Sequence, residues 1–318
     1  MLTRRDFLVG AIAAGVILHT RAAFAKASQP TTPVNFDVPP GACDCHTHIH
    51  GDLEKFPFFP GRVYTPEMAL PEEMASLHKA LHIQRVVIVT PSVYGTDNSA
   101  TLYGMKARGN DARGVAVIND KTPESELDAL GRAGMRGIRL NLKTVGISDP
   151  AVGGRMFQAS AERMKKRNWH VQLNTTLEMV TAIKAQLAAS PVPVVFDHFA
   201  GAEPEKGVDQ PGFADLLDLV RSGKAYVKIS VTEGPRDDYS GFIPLAKALI
   251  AANPERILWG TNWPHPNSVT PPGRMPTELT PLWQVDDGLV FNLLPTWAPD
   301  AAVRKKILVD NPARLYAF

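Results

Sequence analysis

The chain has 318 residues, of which 44% are hydrophobic and 21% are charged, and its formal net charge at pH 7 is +2. This composition is typical of a soluble globular protein, and the length is sufficient for one large α/β domain. The 34 basic and 32 acidic residues nearly balance, so the chain lacks the excess positive charge that binds a phosphate backbone. Nucleic acid is therefore not an expected partner.

The first 25 residues have the pattern of an export signal. The pair Arg4-Arg5 precedes Phe7-Leu8, an apolar run over residues 9–18 follows, and small residues around Ala23-Phe24-Ala25 predict a cleavage site. The arginine pair resembles the twin-arginine signal, which implies transient contact with that export machinery and a periplasmic location. The apolar run is shorter than the roughly 20 residues that span a bilayer, so no membrane anchor is expected after removal of the signal. An amphipathic N-terminal helix is the alternative.

Two cysteines, Cys43 and Cys45, lie two positions apart in a strand-like stretch. Side chains at this spacing share one face of a strand, which is a poor geometry for a disulfide bond. We predict two buried free thiols. A redox-active or metal-binding pair is the alternative, and an isolated C-x-C motif is weak support for it.

Residues 26–40 are rich in Pro, Thr and Ser and predict a linker, whereas residues 41–318 alternate between apolar runs and helical segments. Such alternation predicts βαβ units, and the Val, Ile and Leu content of the runs is typical of parallel strands buried on both faces. The eight predicted strands are Ala42–His48, Arg85–Thr90, Gly114–Ile118, Gly137–Leu142, His170–Asn174, Val192–His198, Ala225–Ser230 and Arg256–Gly260. The expected fold is α/β, a single (β/α)₈ TIM-like barrel; a doubly wound open sheet is the alternative, but it lacks a Gly-rich fingerprint after the first strand.

Segments between the strands have helical periodicity at Met156–Arg167, Leu177–Ala188 and Phe213–Val220. Residues 264–281 are rich in Pro and lack periodicity, so they predict a long loop after the eighth strand. In a barrel of this kind, functional side chains lie at the carboxyl ends of the strands.

Histidines stand at two of these strand ends. The first strand ends in Asp44-Cys45-His46-Thr47-His48, and alternation brings His46 and His48 to the same face. The sixth strand ends in Asp197-His198 and adds a third imidazole at the same rim. Imidazoles grouped in this way bind a metal ion or polarise a carbonyl group.

Other polar groups accompany the histidines. Arg139 and Lys143 follow the fourth strand and suit a carboxylate or a developing oxyanion. The loop after the second strand begins at Ser92 and either binds substrate or is ordinary turn chemistry. The eighth strand is followed by Asn262 and His265.

These motifs resemble the amidohydrolase superfamily, in particular the group that contains 2-pyrone-4,6-dicarboxylate lactonase, sugar lactonases and D-galactarolactone isomerase. The resemblance extends over nearly all of residues 38–318. The runs that establish it are the histidine pair, Asp197-His198, Trp259-Gly260-Thr261-Asn262-Trp263-Pro264-His265-Pro266-Asn267, Arg62-Val63-Tyr64-Thr65-Pro66 and Asn311-Pro312-Ala313-Arg314-Leu315-Tyr316. It implies an amidohydrolase-type barrel that acts at a lactone carbonyl.

The resemblance also implies roles for single residues. His46, His48 and His198 are the expected catalytic histidines, with Tyr64, Ser92, Arg139 and Asn174 as the expected substrate-binding set. Metal-dependent members place a carboxylated Lys or a Glu on strand four, a His on strand five and an Asp on strand eight, where this chain has Arg139, Asn174 and Asn262. We therefore expect no metal cofactor; one Zn²⁺ on His46, His48 and His198 is the alternative.

Asn262 determines the expected reaction. Hydrolysing members of the group have an aspartate there as general base, and an amide has no basic lone pair with which to deprotonate water. Attack by a hydroxyl within the substrate avoids recruiting water, and effective molarities of such nucleophiles reach roughly 10⁵–10⁸ M. The favoured activity is therefore isomerisation of a 1,5-lactone to a 1,4-lactone. The alternatives are hydrolysis, with His265 or a zinc-bound hydroxide replacing the base, and a non-catalytic periplasmic lactone-binding protein. Arg139, Lys143 and Arg236 indicate an acidic lactone.

Overall fold

A computed structural model describes residues 27–232, 234–268 and 273–318. The predicted export signal over residues 1–25 lies outside these residues and stays a prediction. Within the described ranges, no helix has both the length and the apolar content needed to cross a membrane.

Eight parallel strands form one sheet whose spatial order follows the chain order. The strands of the whole described chain are β1 Cys43–Thr47, β2 Thr65–Pro66, β3 Arg85–Val89, β4 Ala112–Ala116, β5 Met135–Asn141, β6 His170–Asn174, β7 Val194–Phe196, β8 Ala225–Ile229, β9 Ile257–Trp259 and β10 Leu279–Thr280. The sheet contains β1 and β3 to β9, and β2 pairs separately with β10. All eight predicted barrel strands are confirmed, and their ends shift by no more than two residues.

Helices cover the outside of this sheet. They are α1 Pro71–Ala80, α2 Ser99–Arg108, α3 Glu124–Arg132, α4 Pro150–Lys165, α5 Leu177–Ala182, α6 Lys184–Ala188, α7 Phe213–Arg221, α8 Phe242–Ala252, α9 Asp287–Phe291, α10 Leu294–Trp297, α11 Ala301–Lys305 and α12 Asn311–Tyr316. The arrangement is a (β/α)₈ barrel, as the alternation of apolar runs predicts, and the open-sheet alternative is wrong.

Three local predictions need correction. The helix predicted from Met156 begins at Pro150, because the Asp149 side chain accepts a hydrogen bond from Ala151 N at 2.8 Å and caps the first turn. The helix predicted over Leu177–Ala188 is two helices, which meet at Ile183. The loop predicted over residues 264–281 ends in a short strand, β10, whose pairing with β2 a Pro-rich sequence does not signal.

The barrel closes beyond the ends of β9 and β1. His48 N donates to Trp263 O at 2.8 Å, and Asn262 N donates to His46 O at 2.9 Å. Gly260 permits this approach, since a Cβ there would lie 2.8 Å from His46 N. The closure therefore joins the histidine segment directly to the segment that contains Asn262.

An irregularity in β1 determines which side chains face the barrel interior. Asp44 pairs with Val86 and Thr47 pairs with Ile88, so β1 has one more residue than β3 between these two pairs. Such a bulge shifts the alternation of side chains. Cys43 and Cys45 consequently lie in the interior apolar cluster as buried free thiols, as predicted, while His46 also points inward.

Residues 27–40 form neither helix nor strand. Ser28 O accepts a hydrogen bond from Trp263 Nε1 at 3.1 Å. The hydroxyls of Thr31 and Thr32 each donate to Asp286 Oδ2 at 2.6 Å. Asp286 in turn caps α9 by accepting from Gly288 N at 3.1 Å, so this segment is attached to the last quarter of the barrel.

The barrel interior below the site is tightly packed at Gly137 of β5. A Cβ at this position would lie 2.3 Å from the nearest atom of the buried His170 ring, which itself packs against Tyr316 at a centroid distance of 5.3 Å. We expect Gly137→Ala to lower the free energy of unfolding by about 1–3 kcal/mol through overpacking. Urea denaturation measures this change. In the double variant Gly137→Ala/His170→Ala, the loss of unfolding free energy should be smaller than the sum of the losses in the two single variants. Full additivity would contradict the proposed clash.

Candidate active site

A cavity of about 330 Å³ opens at the carboxyl ends of the strands. Seven of the eight predicted site residues line it: His48, Tyr64, Ser92, Arg139, Asn174, His198 and Asn262. The eighth, His46, is fully buried and does not line the cavity. Seven of the predicted residues thus meet at one cavity, and His46 lies beneath it.

The three predicted histidines form one cluster. His46 Nε2 lies 3.3 Å from His48 Nε2, and the rings of His46 and His198 have centroids 4.4 Å apart. His48 Nδ1 donates to Val89 O at 2.7 Å, because a carbonyl oxygen can only accept. In the neutral ring of His48, Nε2 is therefore the acceptor and faces the Nε2 hydrogen of His46.

A carboxylate lies under this cluster. Asp197 Oδ2 accepts from Arg139 Nε at 2.9 Å and from Gln172 Nε2 at 3.1 Å. Asp197 Oδ1 is 3.0 Å from His46 Nδ1 and 3.3 Å from Lys228 Nζ, close contacts whose angles depart from those of aligned hydrogen bonds. Arg139 and Lys228 thus share one buried carboxylate, so the three side chains together have a net positive charge below the cavity.

Burial and charge together set the protonation of these groups. Burial lowers the pKa of His46 well below its usual value, and the neighbouring Lys228 lowers it further. Burial would raise the pKa of Asp197, but the positive charges of Lys228 and Arg139 hold that pKa well below its usual value. Burial also lowers the pKa of His198 to about 3. At neutral pH the rings are therefore neutral and the carboxylate is ionised.

Lys228 orients His46. The Lys228 ammonium donates to Gln172 Oε1 at 2.7 Å and lies 3.2 Å from His46 Nδ1. An ammonium group has hydrogens to donate and no lone pair, so it fixes Nδ1 of His46 as the acceptor. This choice of tautomer agrees with the Nε2 hydrogen that His46 directs at His48.

His198 differs from the other two histidines. It follows β7 in the left-handed backbone region, with φ 50°, and Phe199 and Ala200 also have positive φ values. Its Nδ1 lies 2.7 Å from Ser230 Oγ at the end of β8. When that hydroxyl donates to Nδ1, the ring hydrogen is on Nε2.

The remaining predicted residues surround the cavity. Burial raises the pKa of Tyr64 to about 12, and Ser92 is a hydrogen-bond partner of its hydroxyl. Asn174 Oδ1 already accepts from Thr144 Oγ1 at 2.9 Å, which leaves its amide hydrogens for other partners. Lys143 lines the cavity as expected, whereas Arg236 does not line it and pairs with Glu205 instead.

Asn262 and His265 belong to one turn after β9. Both have left-handed backbones, with φ values of 67° and 60°, and His265 N donates to Asn262 O at 2.8 Å. Both side chains line the cavity. Left-handed conformations in residues other than Gly cost free energy and concentrate at functional sites.

Sequence reasoning gave no role to Asp197, Gln172 or Lys228. Lys228 stands in Ala225-Tyr226-Val227-Lys228-Ile229 and Gln172 in His170-Val171-Gln172-Leu173-Asn174, both otherwise suited to buried strands. Each residue is fully buried. A long polar side chain at an inward position of a buried strand was the available signal, because such a group needs a partner.

The same cluster contains a possible set of metal ligands. His46, Asp197 and His198 each offer a ligand atom, and these atoms lie within 4.8 Å of one another. However, the same carboxylate already contacts Arg139 and Lys228, so a divalent cation here would stand beside two fixed positive charges. Fixed positive charge at Arg139 and Lys228 would therefore oppose a metal ion at Asp197.

Comparison with known proteins defines the class. A model of the amidohydrolase family matches residues 43–318. The 2-pyrone-4,6-dicarboxylate hydrolase of Comamonas testosteroni is 34% identical over 91% of this chain and 94% of its own length. The D-galactarolactone isomerase of Agrobacterium fabrum is 31% identical over 90% of this chain and 94% of its own length. An apo crystal structure from Agrobacterium tumefaciens is 28% identical, with a TM-score of 0.72, and the match covers 91% of this chain and 98% of that one. This chain belongs to the amidohydrolase family.

Family membership confirms the resemblance seen in the motifs, and the chain is an enzyme of this family. The alternative of a purely binding protein is thereby set aside. A hydrolase and an isomerase are similar to the chain to nearly the same degree, so similarity alone does not choose between the two reactions.

Acid should destabilise the folded chain, because its buried histidines stay neutral. Burial lowers the pKa of His170 to about 3, whereas histidine in an unfolded chain takes up a proton near pH 6.5. The stability that this neutral ring confers is present above about pH 6.5 and is lost as the pH falls towards 3, by about 1.4 kcal/mol per pH unit. We expect His170→Gln to reduce the pH slope of the unfolding free energy by about that amount between roughly pH 6 and 4.

Urea denaturation at a series of pH values and constant ionic strength measures the pH slope of the unfolding free energy for the parent chain and for the variant. Above about pH 7.5 the variant and the parent chain should have equal slopes, which provides the internal control. An unchanged slope in acid would contradict a neutral buried His170.

Proposed function

We propose that the chain acts at the carbonyl of a small acidic lactone, and that it isomerises a 1,5-lactone to a 1,4-lactone. The observation that supports this most directly is the set of side chains around one cavity: neutral imidazoles and a guanidinium at the wall, with an amide in place of a carboxylate at Asn262. The two relatives described above are a hydrolase of 2-pyrone-4,6-dicarboxylate, itself an unsaturated lactone, and a lactone isomerase.

The carbonyl oxygen would bind between His198 and Arg139. When the Ser230 hydroxyl donates to Nδ1, His198 offers its Nε2 hydrogen, and His198 lines the cavity. Arg139 binds Asp197 through Nε, so its terminal nitrogens remain for substrate at the cavity wall. These donors are fixed before the reaction and would stabilise the oxyanion of a tetrahedral intermediate.

The acidic group of the substrate would lie near Lys143. Lys143 and Arg139 both line the cavity. At the base of the cavity, Asp197 neutralises only one of the two positive charges of Arg139 and Lys228. An anionic substrate therefore finds a favourable potential at the cavity. A neutral lactone lacks this attraction.

Isomerisation is favoured over hydrolysis because of Asn262. This amide lines the cavity at the closure of the barrel but does not take a proton from water. It can donate or accept a hydrogen bond, and so it suits a hydroxyl of the substrate. Migration of the acyl group between two hydroxyls of one molecule needs such positioning and no incoming water.

The ring size of the product tests this reaction. D-galactaro-1,5-lactone incubated with the protein in ¹⁸O-water should become the 1,4-lactone, seen by ¹³C NMR, without ¹⁸O in the product. Label in a free carboxylate would instead indicate hydrolysis. We expect Asn262→Asp to raise hydrolysis by roughly 10²-fold or more, since it supplies a base for water. The matched variant Asn262→Gln should not raise it, and equal hydrolysis by both variants would contradict the argument.

We further propose that the reaction needs no metal ion, on the electrostatic ground that Arg139 and Lys228 already neutralise Asp197. Protein purified without chelator should contain less than about 0.1 equivalents of Zn²⁺, and its rate should survive dialysis against a chelator. Stoichiometric zinc whose removal abolishes turnover would support the alternative site.

A further inference from the structure

A second histidine site borders the cavity, apart from the three-histidine cluster. His265 Nε2 lies 2.9 Å from Asp287 Oδ2, and both residues are almost completely buried. His265 lines the same cavity as His198, whereas Asp287 does not line it. The pair thus places a carboxylate behind an imidazole whose other side faces the substrate space.

The carboxylate sets the tautomer of His265. An ionised carboxylate only accepts, so His265 Nε2 bears the hydrogen and Nδ1 of the neutral ring has the basic lone pair. No residue in the described part of the chain forms a hydrogen bond with that Nδ1. This basic nitrogen therefore belongs to a residue that lines the cavity. A carboxylate bonded to the other ring nitrogen is the arrangement that orients an imidazole for proton transfer.

Asp287 is held in place for this contact. It is the first residue of α9, which Asp286 caps, and Asp286 is bound by the hydroxyls of Thr31 and Thr32. Burial raises the pKa of Asp287 above its usual value, and contact with His265 offsets part of that rise. The 2.9 Å contact with His265 Nε2 holds the carboxylate directly behind the imidazole ring.

We propose that His265, oriented by Asp287, is the general base and acid of the acyl migration; this rests on the proposed function. Nδ1 takes the proton of the attacking hydroxyl as its oxygen bonds to the carbonyl carbon, and the C=O electron pair moves to the carbonyl oxygen. The bond from that carbon to the ring oxygen then breaks as C=O re-forms, and the ring oxygen takes the proton back from Nδ1. No proton is gained or lost overall, and Asn262 has to supply none.

The experiment compares kcat and KM of the parent chain and its variants with D-galactaro-1,5-lactone. We expect His265→Ala to lower kcat by roughly 10²–10⁴-fold with KM nearly unchanged, because proton transfer acts in the transition state. Imidazole in the buffer should restore part of that rate by occupying the vacated space. Asp287→Asn, the change at the positioning residue, should lower kcat by roughly tenfold or more, again with little change in KM. His82→Gln, on an exposed histidine away from the cavity, should have no effect.

The outcomes separate this inference from the function on which it rests. If the parent chain migrates the lactone and His198→Ala abolishes turnover, while His265→Ala keeps kcat within about threefold, the dyad is overturned and the proposed function stands. A raised KM with unchanged kcat would also overturn it, since that indicates binding alone. If His265→Ala does not fold, His265→Gln decides, because its amide still reaches Asp287 but cannot take a proton. Absence of any ring migration by the parent chain overturns the function itself.

Discussion

The site depends on one buried carboxylate. Asp197, placed at the end of β7, is the shared counter-charge for Arg139 of β5 and Lys228 of β8, two cations that the barrel interior would otherwise not tolerate. Because Lys228 is held there, it fixes the tautomer of His46, which in turn faces His48. Three strands are thus joined below the cavity by charge, in addition to the backbone hydrogen bonds of the sheet.

The extent to which sequence predicts this molecule differs between its fold and its site. Strands buried on both faces are apolar throughout, so β6 could be delimited correctly at His170–Asn174 from composition and spacing. The interior network could not, because Lys228 in a sequence gives no indication of which strand will supply its partner. The β1 segment illustrates a second limit: strict alternation puts Cys45 and His46 on opposite faces, and only the bulge brings both inside. One extra residue in a strand has no sequence signature of its own.

The closure of the barrel and the chemistry share the same residues. The backbone of Asn262 is bonded to His46 and the residue lines the cavity, so a different side chain there would leave the closure of the sheet unchanged. The relatives of this chain include both a hydrolase and an isomerase. On the proposed role of Asn262, the fold and the reaction type would depend on different atoms of one residue.

The segment before β1 is connected to the candidate site through Asp286. Thr31 and Thr32 hold Asp286, and Asp286 caps the short helix that presents Asp287 to His265. An aminopeptidase that removed these threonines would leave every strand of the barrel in the chain. It would remove their hydrogen bonds to Asp286 and so weaken the support of Asp287. On the proposed role of Asp287, such trimming would lower activity while the barrel stayed folded, so the folded fraction of a preparation would overstate its active fraction.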